Sequence, residues 1–128
     1  MAFLTKYQPQ LLSILRIVAG LLFLEHGMQK ILHFPPMTMA IPPNAAMIIM
    51  AAGWIELIGG ALILIGLFTR VAAFICSGEM AVGYWMGHVA TKGSFFPAVN
   101  GGDAAILFCF VFLYIAAAGP GPWAIDRS

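Results

Sequence analysis

Four apolar runs constrain this chain more than any other feature, because each approaches the roughly 20 residues needed to cross a hydrocarbon core about 30 Å thick. The first covers 11–32 and breaks at His33-Phe34-Pro35-Pro36, and a second proline pair, Pro42-Pro43, precedes the next run at 45–68. Proline lacks the backbone N–H, clashes with the preceding turn and keeps its predecessor out of the helical region, so such pairs separate helices. Thr69-Arg70 divides the second run from a third at 71–90, and so short a link requires antiparallel neighbours. The stretch 91–102 holds Gly93, Pro97, Asn100, Gly101 and Gly102 and reads as a loop. Asp103 can then cap a fourth helix, 103–118, which Gly119-Pro120-Gly121-Pro122 stops. The expectation is one domain over residues 1–128: an all-α, integral-membrane, antiparallel four-helix bundle.

Composition agrees. The 128 residues are 62% hydrophobic and 9% charged, against about 25% charged for ordinary soluble domains. Too few polar side chains exist to cover a water-soluble globule, so the outer surface is expected to meet lipid. A net charge of +1 offers no field for nucleic acid. Arg16, Glu25, His26 and Lys30 interrupt the first run, which therefore reads as a spanning helix and not a cleaved signal peptide. Lys6, Arg16, Arg70 and Arg127 fall toward one side, Lys30 and Lys92 toward the other. The positive-inside rule then places both termini in the cytoplasm of a multi-pass inner-membrane protein. Cys76 and Cys109 match no metal or redox spacing and read as small apolar residues. Met37, Met39, Met47 and Met50 read as packing, and Gly59, Gly60, Gly66, Gly83 and Gly87 as points where helices meet closely.

Ionisable residues within the runs are the informative ones, since a charge at the centre of a membrane helix must face its neighbours and find a partner. Glu56 and Glu79 lie inside the second and third runs. The long Arg16 side chain can reach toward either carboxylate, and Arg16 with Glu56 is the preferred pair. Glu25, nine residues on from Arg16, projects from the opposite side of the first helix. A second polar layer gathers near the outer surface: His26 and Lys30 at i, i+4 spacing, His88 from the third helix and Asp103 from the fourth. Asn100 lies alongside, and Tyr84 and Trp85 add aromatic walls. Two readings of this layer stand side by side. It is a binding site for a polar head group or a reducible ring, or it is a set of caps and an interfacial belt. His26, His88 and Asp103 are metal-type donors, but no ligand motif joins them, so no metal is assigned. No haem, phosphate-loop or hydrolase motif is present.

Arg16, the run Glu25-His26-Gly27-Met28-Gln29-Lys30, Glu56-Leu57-Ile58-Gly59-Gly60, Leu64-Ile65-Gly66-Leu67-Phe68-Thr69-Arg70, His88, Asn100-Gly101-Gly102-Asp103 and the Gly-Pro-Gly-Pro-Trp123 close together resemble the DoxX family of small bacterial membrane proteins. Most relatives carry Glu where this chain has Asp103. The resemblance implies a four-helix inner-membrane protein with Arg16, His26, Lys30, Glu56, His88 and Asp103 lining a polar interior. Some relatives are linked to the membrane subunit of thiosulfate:quinone oxidoreductase, and others to redox complexes of oxidative or thiol stress. By that resemblance the chain would be a quinone-side or anchoring subunit, at most a non-catalytic or quinone-side part of an oxidoreductase, holding either quinone or a soluble oxidoreductase partner at the membrane. No cofactor motif of its own is evident. The residues themselves leave two other functions open: a small-solute transporter using Glu56 and Glu79, and a structural or assembly protein without catalysis.

Overall fold

The computed structural model describes residues 1–37 and 41–127. Met39, one of the methionines assigned to packing, lies outside them. The described residues fold into helices joined by turns, with no strand among them. Four helices are long: α1 (Gln8–Ile31), α2 (Ala46–Ile65), α3 (Thr69–Gly83) and α4 (Asp103–Ala118). α3 runs on through a π-helical segment, Tyr84–Val89, and a last short turn, Ala90–Lys92. By length and apolarity two helical stretches can cross a membrane, Gln8–Ile31 and Pro43–Ile65, while Asp103–Ala118 is apolar but shorter.

The expected helix positions hold to within a few residues, and two local readings are corrected. Thr69 and Arg70 do not form the turn after α2; they begin α3. The turn is Gly66–Phe68, where Gly66 takes a left-handed conformation (φ 74°) that glycine adopts at no steric cost. Its amide and that of Leu67 return to carbonyls at the end of α2, closing the helix with a Schellman-type cap. Asp103 makes no side-chain cap to α4; it is the first helical residue after Gly102 and exposed. There its charge still favours the positive end of the helix.

α1 packs along α2 and α3 along α4, α2 meets α3 less extensively, and α1 touches α4 at few points. The first pair is held by a seam of glycines spaced by seven residues, Gly20 and Gly27 on α1 and Gly53 and Gly60 on α2. A Cβ on Gly60 would stand 2.6 Å from the Leu24 amide nitrogen, and one on Gly20 would stand 2.7 Å from that of Leu64. The two backbones thus touch directly, as small residues permit. Gly83 and Gly87 are not part of such a contact, for a Cβ on Gly87 meets nothing within 4 Å. Deeper in, Phe23, Phe108 and Phe112 interlock, with the Phe23 and Phe112 ring centroids 4.8 Å apart. Ile63, Ala73, Cys76 and Ile115 complete the core.

Candidate functional site

Three polar clusters follow one another along the helices. At one end Arg16, only 1% exposed, reaches the residues that follow α4. Its guanidinium donates to the carbonyls of Pro120 and Trp123, and Ser13 Oγ accepts from the Trp123 amide at 3.1 Å. The tail continues along the Gly66–Phe68 turn, where the Asp126 amide donates to the Gly66 carbonyl at 2.8 Å. The Asp126 carboxylate in turn accepts the amides of Thr69 (2.8 Å) and Phe68 (3.0 Å), capping the start of α3. The Thr69 amide, then that of Phe68 and the charge of Arg16, hold the Asp126 carboxyl below the ordinary carboxylate range. Arg70 donates to the carbonyls of Ala116 and Ala117 at the end of α4. The expected pair of Arg16 with Glu56 is therefore not formed.

Glu56 pairs with Lys30. The Lys30 ammonium donates to Glu56 Oε1 at 2.7 Å, with Glu56 2% and Lys30 20% exposed. The reason is register. The seam sets Gly27 against Leu57 and Gly53 against Lys30 and Ile31, which brings Lys30 within one turn of Glu56. It leaves Arg16 level with the end of α2, beside Gly66. A Cβ on Gly59 would strike Cys76 Sγ on α3, and the same antiparallel register sets Glu79, one turn beyond Cys76, level with Glu56, one turn before Gly59. Its Oε1 is buried and without a hydrogen-bond partner among the described residues. Glu25, read as facing away from Arg16, is exposed.

The third cluster closes the other end. Asn100, 1% exposed, donates from Nδ2 to the Tyr84 hydroxyl (3.1 Å) and to the Ser94 carbonyl (2.9 Å), and its Oδ1 accepts the Gly102 amide. The Tyr84 hydroxyl donates to the Phe95 carbonyl at 2.6 Å. His88 Nδ1 lies 3.1 Å from the Asn100 carbonyl. Since a carbonyl only accepts, Nδ1 is the donor in this contact. The His88 ring stacks on Tyr84 with centroids 6.3 Å apart. Both residues belong to the π-helical segment, whose wider turn gives Tyr84 and His88 one side of the helix; such segments recur at functional sites. Nothing in the sequence marks it.

The outer layer expected from the sequence is thus divided. Tyr84, His88 and Asn100 come together, while Lys30 is drawn inward to Glu56. His26 is exposed, donates to the Leu22 carbonyl of its own helix and rests edge-on to Phe108. Asp103 joins neither group. Among the described residues no three His, Cys, Asp or Glu side chains gather as a metal-ligand set, and both cysteines are free.

Helices of membrane length that pack through glycines and turn Arg16, Lys30, Glu56 and Glu79 inward define a membrane protein of the small helical kind. The chain belongs to the DoxX family, whose model matches residues 11–89. That span takes in Arg16, Lys30, Glu56, Glu79 and His88 and ends before Asn100, Asp103 and the tail. The chain is also similar, at 46% identity over 127 residues, to an uncharacterized protein of Haemophilus influenzae, covering 98% of this chain and 95% of that one. No solved structure matches it.

Proposed function

We propose that this DoxX family protein spans the bacterial inner membrane four times with both termini in the cytoplasm, and serves as the quinone-side or anchoring subunit of an oxidoreductase. Four spans are supported by the outward apolar faces of the two later helices as well as the earlier ones. Val71, Phe74 and Val82 on α3 and Leu107, Phe110 and Tyr114 on α4 are all more than half exposed, a surface suited to lipid. The orientation is supported by Arg16, Arg70 and the residues after α4 gathering at one end, with Lys92 at the other.

The observation that carries the redox reading is the cluster of His88, Tyr84 and Asn100. His88 is held by the Asn100 carbonyl through Nδ1, which leaves its second ring nitrogen for a ligand, and its ring stacks on the Tyr84 phenol. Trp85 and Phe95, with ring centroids 5.6 Å apart, stand next to it as apolar walls. A quinone asks for this combination: a hydrogen-bonding and proton-exchanging group at its carbonyl oxygen and flat aromatic surface along its ring. Native mass spectrometry of the detergent-extracted protein tests the reading. Quinone, or a partner oxidoreductase, is expected to be retained by the wild type and lost in His88→Ala at unchanged yield. Protein that retains neither, and a His88→Ala variant indistinguishable from it, would overturn the reading. Proton-dependent solute uptake by such protein in vesicles would move the assignment to transport.

A further inference from the structure

We propose that Lys30, Glu56 and Glu79 form a proton-binding site in which the two carboxyls share one proton and the Lys30 ammonium is a displaceable counter-ion, exchanged for a second proton when it leaves. The inference does not depend on quinone binding at His88.

Three helices each bring one group to this place: Lys30 from α1, Glu56 from α2 and Glu79 from α3. The other titratable group beside them is Cys76, one turn before Glu79, a buried thiol near enough to feel both carboxyls. From α4 the Cys109 thiol is turned aside to Ser77 Oγ, 3.6 Å away, and Asp103 is exposed at the helix start. The local charge is therefore set by two carboxyls and one ammonium. One ion pair is made, at 2.7 Å between Lys30 and Glu56, and the second carboxyl has no cation of its own. Glu79 Oε1 is buried without a donor among the described residues. An ionised carboxylate in that position would be an uncompensated charge in an apolar interior, whereas a protonated one is neutral and can donate to its neighbour. Two carboxyls level with each other across the α2–α3 contact meet the same constraint, since like charges at close range do not both persist. One proton on the pair makes the cluster neutral.

The two members of the ion pair are unequally mobile. Glu56 is 2% exposed and sits on the glycine seam. Lys30 is 20% exposed, next to the last residue of α1, on a four-carbon stem able to carry its charge outward along the helix. When Lys30 swings out, the pair stays neutral only by taking a proton from the aqueous side onto Glu56. When Lys30 returns, that proton must leave. Each exchange moves one positive charge in for one out, with no oxidant or reductant involved.

Infrared spectroscopy of the detergent-extracted protein at neutral pH reads the proton directly as a carboxylic-acid C=O stretch. One such band is expected in the wild type and should be lost in both Glu79→Gln and Glu56→Gln. It should double in intensity in Lys30→Met and persist in Glu25→Gln. A wild-type spectrum without the band, a band that survives both Gln variants, or one that Lys30→Met leaves unchanged would overturn the proposal. Should the Gln variants fail to accumulate, wild-type protein labelled with carboxyl-13C glutamate gives the same answer, because Glu25, Glu56 and Glu79 are its only glutamates. Three fully ionised carboxyl signals would then refute it.

Discussion

Arg16 and Lys30 sit on the same helix, both drawn into the protein, and are answered in opposite ways. Arg16 meets backbone carbonyls of Pro120 and Trp123, acceptors that cannot change charge and lie on a segment held in turn by Ser13 and the Gly66–Phe68 turn. Lys30 meets a carboxylate with a second carboxyl beside it, groups that can each accept a proton in its place. The guanidinium fork matches fixed acceptors in two directions, while an ammonium is a compact charge on a flexible stem. The first arrangement fastens chain segments together. The second stores a charge that can be exchanged. A buried cation is thus assigned to structure or to chemistry by whether its partners can titrate, more than by its depth.

The most damaging change is one that removes the frame both cations share. Gly27→Leu would drive a side chain into the Leu57 backbone, which has no rotamer to yield, and the expected outcome is loss of folded protein, read as yield and monodispersity after extraction. Next comes Arg16→Ala, which strands two carbonyl acceptors and frees the tail. A loss on the order of 3 kcal/mol is expected from two charge-assisted hydrogen bonds, measured as thermal stability, with faster proteolysis after Gly119. Arg16→Lys should recover only about half, because one ammonium does not span both carbonyls. Lys30→Met should cost less, about 1 kcal/mol, since a proton can replace the lost cation. If it proves as harmful as Arg16→Ala, the distinction between the two sites fails.

The smallest effect concerns Asp126. Its carboxyl is held below the ordinary range chiefly by the Thr69 amide, so its contribution to stability is complete above the unfolded carboxylate range. That contribution disappears as pH falls through the lower folded value. Thermal stability should therefore decline on acidification, and Asp126→Asn should flatten that decline. Identical acid profiles would remove Asp126 from the account.

The positions of the helices were legible because proline pairs and glycine clusters interrupt apolar runs of fixed length. The partner of Glu56 was legible only in part. An antiparallel pair joined between α1 and α2 sets Lys30 against Gly53 and Gly20 against Leu64, and the same register carries Arg16 about 18 Å along the axis from Glu56. The glycines spaced by seven hold that register, yet only Gly60 among them stands out as one of an adjacent pair, and nothing marks Gly20, Gly27 and Gly53 as its companions. The role of the tail was hidden for another reason. Carbonyl acceptors have no residue type, so nothing in Pro120 or Trp123 announces a partner for Arg16. The π-helical turn at Tyr84–Val89 was equally silent, being a choice of hydrogen-bond pattern and not of composition.

The glycine seam also has a mechanical meaning. Because the backbones of α1 and α2 touch, the two helices cannot roll or slide past each other without collision, and Lys30 and Glu56 travel as parts of one stiff lever. Glu79 rides on α3, across the less extensive contact. Any rocking of one helix pair against the other therefore leaves the ion pair intact and alters only the gap to the second carboxyl. The fold ties a change of shape to the cost of holding a proton.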